Sequence, residues 1–120
     1  MGGVTILTAG CEKENSYKES DIIGEWVCVK YENKNPIGPG GGVWVYDVTD
    51  NYLRTIFQKD GTVVRHYGNT EKWNLDKEKG YLNFIGDDHF QDSYKIESLN
   101  SKTMKISQGG GCYIYTYQKI

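Results

Sequence analysis

From Glu25 onward, apolar and aromatic positions alternate with polar ones in short runs that are separated by glycine-rich or charged turns. A period of two is typical of a β-strand with one buried face, whereas the 3.6-residue period of an amphipathic helix is nearly absent. The pattern predicts an all-β chain with one short helical turn in SYKESDII, capped by Ser16 or Ser20. The eight or nine predicted strands lie in EWVCVKYE, VWVYDV, YLRTIFQ, TVVRHY, EKWNLD, YLNFIG, DSYKIESL, TMKISQ and CYIYTYQK.

Most of the connections between these runs are short, which predicts that each strand pairs with the next in an antiparallel meander. KDG and KEKG are tight hairpin turns in which Gly61 and Gly80 supply the positive φ. The longer segment NKNPIGPGGG contains two prolines and forms an irregular loop. A meander of eight strands closes into an up-and-down barrel around side chains or one small ligand. The alternative architecture is a two-sheet sandwich.

Alternation also assigns the inward face of each strand, because neighbouring side chains on a strand point to opposite sides. Taking Trp26 as inward places Cys28 on the same face. In the later strands the predicted inward residues are Phe57, Trp73, Leu75, Leu82, Phe84, Tyr94, Ile96, Met104 and Ile106.

The last strand can present either of two sets of side chains to the interior. The inward set is either Tyr113, Tyr115 and Tyr117 or Cys112, Ile114 and Thr116. We favour the tyrosines, because burying their rings removes more apolar area from water. Cys112 would then point outward, and a disulfide with Cys28, which requires both thiols on one face, is not expected.

The N-terminal segment ILTAGCEKENS places small residues directly before Cys11 and a charged stretch after it. This is the order of a bacterial lipobox, in which the cysteine is acylated and becomes the mature N-terminus. Thr8 stands where such motifs usually carry Leu, and MGGVTILTAG is shorter than a full signal peptide. We interpret residues 1–20 as a truncated signal peptide with its lipobox and a flexible tether, and residues 21–120 as the barrel domain. The alternative is a disordered tail with a free cysteine.

The segment IIGEWVCVKYE carries a Gly-x-Trp motif at Gly24 and Trp26, preceded by the predicted helical turn. IFQKDGTVV, EKWNLDKEKGYLNF, YKIESLNSKTMKI and YIYTYQK follow in this order. The succession resembles the lipocalin-like domain family of small Gram-negative lipoproteins over residues 21–120. The resemblance implies a lipocalin-like barrel that is lipid-anchored in the cell envelope, either in the periplasm or at the cell surface. It also implies that the basic residue over the motif tryptophan is Lys119.

Length and charge restrict the classes of function. A chain of 120 residues forms one domain with one modest core, which excludes a two-domain enzyme. The formal net charge is -2 with scattered Lys and Arg, so no nucleic-acid-binding surface is predicted. We expect a monomer without a cofactor. Its contact with the membrane would be a lipid on Cys11, because no segment approaches the roughly 18 apolar residues of a membrane span.

Catalytic and metal-binding patterns are missing from the sequence. His66 and His89 lie in different segments and lack the paired spacing of a zinc site. The loop IGDDHFQD gathers Asp87, Asp88 and Asp92 near His89 without the spacing of a calcium-binding loop. Neither glycine run opens a helix that could hold phosphate, and no Ser or Cys has an evident base beside it. The sequence therefore predicts a protein that is not an enzyme and binds no metal.

Two functional classes remain. A barrel lined by Trp26, Trp73, Tyr94 and Tyr115 would bind a small hydrophobic or aromatic ligand. In a domain of this size the same aromatic side chains can instead fill the interior. A filled barrel would favour a protein-protein interaction module, such as an inhibitor or a subunit of an envelope complex.

Overall fold

A computed structural model describes residues 17–34, 41–50, 53–65, 68–89 and 91–120. In the described part of the chain the helix α1 (Glu19–Ile22) comes first, and short 3-10 turns follow at Val48–Asp50 and Gly109–Gly111. The strands in the described part of the chain are β1 (Gly24–Asn33), β2 (Gly42–Val45), β3 (Thr55–Phe57), β4 (Thr62–Val64), β5 (Thr70–Asp76), β6 (Tyr81–Ile85), β7 (Gln91–Leu99), β8 (Thr103–Gln108) and β9 (Tyr113–Lys119).

Eight of these strands, β1 and β3 to β9, form a closed antiparallel barrel. Strands β3 to β9 each pair with the next in sequence, and β9 closes the barrel by pairing with β1 from Tyr113↔Asn33 to Lys119↔Trp26. The other edge of β1 is shared, because β3 pairs with its first residues and β2 with its last four. Strand β2 is therefore an additional edge strand, which pairs with β1 but is not one of the eight strands of the closed barrel. The predicted meander barrel is confirmed, and the two-sheet sandwich is excluded.

The strands near β2 are shorter than the sequence pattern predicts. VWVYDV forms a strand only to Val45, because the Asp47 carboxylate accepts hydrogen bonds from the backbone N–H and hydroxyl of Thr49 and begins the 3-10 turn. These two bonds also lower the pKa of Asp47. Leu53 adopts a φ of 48°, which ends extended structure on the N-terminal side of β3.

A β-bulge in β1 changes the phase of its alternation. Cys28 lies opposite Tyr117 and Lys30 opposite Thr116, so Val29 is the extra residue. Strict alternation from Trp26 would turn Lys30 inward. The bulge instead places Tyr31 on the inner face, directly across from Tyr115.

The barrel interior is filled by apolar side chains, as the predicted faces require. Trp26 and Cys28 are fully buried, and Tyr117 on the last strand is nearly so, which confirms that the tyrosines of β9 face inward. The core consists of Ile22, Trp26, Cys28, Phe57, Val63, Trp73, Leu75, Leu82, Phe84, Ile96, Met104, Ile106 and Tyr117.

Helix α1 covers one end of the barrel, which we call the closed end. The indole Nε1 of Trp26 donates a 2.8 Å hydrogen bond to the carbonyl of Ile22. The ammonium of Lys119 lies 5.0 Å from the centre of the Trp26 ring and 3.3 Å from the carbonyl of Asp21, which confirms its predicted place over this tryptophan. The predicted cap at Ser20 is wrong, because Ser20 lies within α1 and Lys18 is its N-cap. The alternative cap, Ser16, lies outside the described residues.

Cys28 and Cys112 are both free, as expected. Cys28 is opposite Tyr117, whereas the carbonyl of Cys112 accepts a hydrogen bond from Lys34 beyond the other end of β1. The five residues from Cys112 to Tyr117 span about 16 Å of chain, far more than the roughly 6 Å between the Cα atoms of a disulfide.

Gly24→Ala should destabilise the protein more than a glycine substitution in a hairpin. Gly24 has a φ of 138°, and an added Cβ would lie 3.0 Å from Cε of Lys119. Gly61→Ala is the control, since its φ is 92° and no atom lies within 4 Å of the added Cβ. We expect Gly61→Ala to cost about 1–2 kcal/mol of unfolding free energy and Gly24→Ala at least about 1 kcal/mol more. Equal losses in urea unfolding would show that the approach of Lys119 to Gly24 imposes no constraint.

Cys28 should be unreactive in the folded protein, because burial raises the pKa of its thiol to about 11. In a Cys11→Ser variant, Ellman's reagent at about pH 8 should titrate Cys112 in the native protein and Cys28 only after unfolding. The thiol of Cys28 ionises near pH 8.5 in the unfolded chain but only near pH 11 in the folded protein. The free energy of unfolding should therefore fall as the pH rises from about 8.5 towards 11. Cys28→Ala should reduce that alkaline loss of stability. Rapid native reaction of both thiols would contradict the buried position of Cys28.

Candidate functional site

The end of the barrel opposite α1, which we call the open end, carries aromatic rings that are only half-buried. Tyr31, Tyr94 and Tyr115 each retain some exposure, and Trp44 is 38% exposed. We call these four residues the aromatic mouth. The closed end buries its tryptophan completely, so the two ends differ in the aromatic surface that they present.

A continuous series of ring contacts leads from the aromatic mouth into the core. Trp44 stacks on Tyr31 with a ring-centre distance of 5.4 Å, and Tyr31 lies 4.9 Å from Tyr115. Tyr115 contacts Tyr94 edge to face at 5.9 Å. From Tyr94 the series continues through the buried rings of Phe84, Phe57 and Trp73. Contacts at these distances are favourable for aromatic pairs.

Strand register brings the mouth residues together. Tyr31 of β1 pairs with Trp44 of β2 on one side and with Tyr115 of β9 on the other. Directly opposed side chains in antiparallel strands have Cβ atoms about 5 Å apart, which is suitable for ring contact. The β1 bulge is essential to this arrangement, because without it Lys30 would take the inward position.

A charged pair lies beside these rings. Arg65, which follows β4, bonds through Nη1 to Oε1 of Glu71 in β5 at 3.1 Å. Its guanidinium carbon is 4.4 Å from the ring centre of Phe84, a cation–π contact. The two side chains are only 17% and 22% exposed, so each charge has lost much of its hydration. Burial raises the pKa of nearby Tyr117 well above its usual range, and the positive charge of Arg65 partly opposes this.

The residues that the sequence suggests for ligand binding separate into two groups. Trp26 is fully buried and bonded to the carbonyl of Ile22 in α1. Trp73 is also buried, and its indole N–H donates a 3.0 Å hydrogen bond to the carbonyl of Gln58. Tyr94 and Tyr115 contact each other at the aromatic mouth. Gly24 and Trp26, the motif residues, both lie at the closed end. Cys11 lies outside the described residues.

Sequence reasoning missed Tyr31 and Trp44. The signal for Tyr31 was the conflict in the first strand, since alternation from Trp26 would bury the charged residues Lys30 and Glu32. A bulge resolves such a conflict by shifting the inward face by one residue. Trp44 carried no comparable signal, because its strand is exposed throughout.

The described residues contain no cluster of three or more His, Cys, Asp and Glu side chains suited to hold a metal ion. Asp87, Asp88 and His89 lie exposed in the turn after β6, and His89 has a φ of 64°. His66 lies outside the described residues. In the same described part of the chain, no helix is long and apolar enough to cross a membrane.

The closed eight-stranded meander with a helix over one end defines a lipocalin-like barrel fold. A lipocalin-like protein from Bacteroides uniformis superposes with a TM-score of 0.60 at 15% identity, covering 83% of this chain and 99% of the other. An uncharacterised protein from Bacteroides eggerthii gives a TM-score of 0.59 at 16% identity, covering 82% and 98%. No protein-family model matches the sequence, and neither does any curated protein. At this level of identity the likeness concerns the fold alone.

Removing both members of the Arg65–Glu71 pair should cost less than the sum of the two single losses. Glu71→Gln leaves a largely buried guanidinium without its carboxylate, at an expected cost of about 1–3 kcal/mol in unfolding free energy. Adding Arg65→Met removes the unpaired charge, so the double variant should lose less than the sum of the two single variants. We expect a coupling energy of about 1–2 kcal/mol from a double-mutant cycle in urea.

The pair Arg54–Glu25 is the control for this cycle, because its side chains are 44% and 30% exposed. Exposed pairs contribute about 0.2–1 kcal/mol, so the cycle of Arg54→Met and Glu25→Gln should give a clearly smaller coupling. Similar coupling energies for the two pairs would show that the burial of Arg65 and Glu71 does not strengthen their interaction.

Proposed function

We propose that the protein is a cell-envelope lipoprotein, anchored through a lipid on Cys11, whose barrel binds a small aromatic or hydrophobic ligand at the aromatic mouth. The observation that carries this proposal is the set of half-exposed, mutually contacting rings of Tyr31, Trp44, Tyr94 and Tyr115. Partly exposed aromatic rings that carry a polar group at their edge can stack on a small planar molecule and also hydrogen-bond with it.

The filled core restricts where such a ligand binds. Leu82, Met104 and Ile106 are fully or almost fully buried in the interior, so an occupant resting on the core would stop at the level of Phe84 and Tyr94. A planar ring could stack against the mouth residues with offset or edge-to-face geometry. The proposed ligand is therefore a small aromatic molecule bound near the rim and partly exposed to solvent.

The lipid anchor gives the barrel an orientation. Tyr17, two residues before α1, packs against the core, and its hydroxyl lies 3.4 Å from the carbonyl of Ile96. The six-residue step from Cys11 to Tyr17 spans at most about 20 Å when fully extended. A lipid on Cys11 would keep the closed end near the membrane, and the aromatic mouth would open away from it.

Loss of the mouth rings should weaken ligand binding without unfolding the barrel. We expect Trp44→Ala and Tyr115→Ala to reduce the affinity for the fluorescent aromatic probe N-phenyl-1-naphthylamine by about tenfold each, with Val43→Ala as the same-strand control. Native mass spectrometry of the protein purified from its own envelope should reveal a bound small molecule. A bare mass together with unchanged probe binding in both ring variants would refute the carrier proposal.

The anchor is tested separately. Cys11→Ser in the full-length precursor should move the protein from the membrane fraction to the soluble fraction, and mass spectrometry of the unmodified chain should find the lipid on Cys11. Retention of Cys11→Ser in the membrane fraction would refute the lipoprotein assignment while leaving the aromatic mouth untouched.

A second candidate function is supported by the edge strand β2. Val43 and Val45 are 57% and 76% exposed next to Trp44, and an exposed apolar edge is a common surface for strand addition by another protein. In this case the protein would be an envelope interaction module with a filled barrel. Cross-linking from position 43 that captures a defined envelope protein, combined with a bare native mass, would favour this module over the carrier.

A further inference from the structure

A concave site lies on the outer wall of the barrel rather than in its interior. It encloses about 320 Å³, near the lower limit of the roughly 300–1,000 Å³ typical of small-molecule pockets. We call it the outer groove. Its lining comprises Tyr81, Ser93, Lys95, Glu97, Ser107, Gln108 and the turn Gly109–Gly111.

Register across three strands builds the floor of the outer groove. Lys95 of β7 pairs with Tyr81 of β6 on one side and with Ser107 of β8 on the other, so the three side chains form a row. Their sequence neighbours Leu82, Ile96 and Ile106 are buried inside the barrel, which places this row on the outer face. Ser107 is nevertheless only 2% exposed, so the outer groove is a recess and not a flat wall.

A β-bulge at Glu97 supplies the acidic side of the recess. Ile96 pairs with Ile106 and Ser98 with Lys105, so Glu97 is the extra residue in β7. Its carboxylate accepts a 2.6 Å hydrogen bond from the hydroxyl of Ser107. Bulges commonly redirect a side chain in this way, and the second carboxylate oxygen of Glu97 remains able to accept a hydrogen bond.

The hydrogen-bonding capacity of the outer groove is mixed. Ser93 donates to Asn83 and accepts from Gln91, which leaves one of its two acceptor positions. Lys95 adds up to three donors. Tyr81, with 37% of its surface exposed, contributes an aromatic ring to the same recess.

The three-glycine turn keeps one side of the outer groove open. Gly109, Gly110 and Gly111 have φ values of 63°, 68° and 95°, conformations that favour glycine. A Cβ on Gly110 or Gly111 would meet no atom within 4 Å, so the space beside this backbone is unoccupied by protein. A ligand can therefore approach the backbone itself, which is a recognised use of glycine.

We propose that the outer groove binds a neutral saccharide of one or two rings. The apolar face of a sugar ring would lie on Tyr81, and its hydroxyls would hydrogen-bond with Ser93, Lys95 and Glu97. A polyol both donates and accepts, and so matches the mixed set, whereas an anion would face Glu97 and a cation would face Lys95. The modest apolar surface, one partly exposed ring, makes the outer groove unsuitable for a purely hydrophobic ligand. This site is independent of the aromatic mouth.

The test uses the ¹⁵N-labelled Cys11→Ser chain and the methyl glycosides of glucose, galactose and mannose, followed by lactose. In NMR titrations to about 50 mM, well above a millimolar dissociation constant, at least one glycoside should shift the amides of Gly109–Gly111 and Lys95 in a saturable manner. Tyr81→Ala should weaken this binding about tenfold, whereas Tyr81→Phe keeps the ring and should retain it.

Controls distinguish the site from general effects of added solute. Trp44→Ala should leave the glycoside response unchanged, because Trp44 belongs to the aromatic mouth. Glu97→Gln, which keeps the shape but removes the charge, should weaken binding while the melting temperature stays within a few degrees of the parent. No saturable shift with any glycoside would overturn the proposal. Equal shifts in Tyr81→Ala, or a stronger response to L-alanine than to every glycoside, would do the same.

Discussion

The pairing of β1 with β9 is the constraint on which the other features depend. It turns an open meander into a closed barrel, and its register extends from Lys119↔Trp26 at one end to Tyr113↔Asn33 at the other. At the closed end this pairing carries Lys119 over the Trp26 ring. At the open end it brings Tyr115 against Tyr31. Closure also removes the two free edges that these strands would otherwise expose.

The high aromatic content of the chain serves two different purposes in this barrel. Trp26, Phe57 and Trp73 are buried and supply apolar area to the core. Tyr31, Trp44 and Tyr115 lie on the same network of ring contacts, yet they remain partly in contact with solvent. Half-exposed rings bury less apolar area than the rings of the core, so the mouth residues contribute less to the stability of the fold.

The number of strands and their short connections predicted the closed barrel, and the area of the rings predicted the tyrosine face of β9. Alternation predicted the inward faces of the other strands, because these depend on a period of two. It was not enough to locate the aromatic mouth. Tyr31 faces inward only through the bulge at Val29, and the sequence indicates this bulge only indirectly, because strict alternation from Trp26 would bury Lys30. Trp44 depends on β2 joining an edge of β1 that β3 leaves free, which is a property of register across distant segments.

Both candidate sites lie where the regular β pattern is interrupted. The bulge at Val29 turns Tyr31 towards Tyr115, and the bulge at Glu97 brings a carboxylate to the recessed hydroxyl of Ser107. A regular ladder would have placed Lys30 inside and left Ser107 without this acceptor. Bulges interrupt ladder hydrogen bonds, so each of these two sites replaces part of the regular strand pairing with a redirected side chain. The aromatic mouth and the outer groove therefore each depend on a β-bulge, one in β1 and the other in β7.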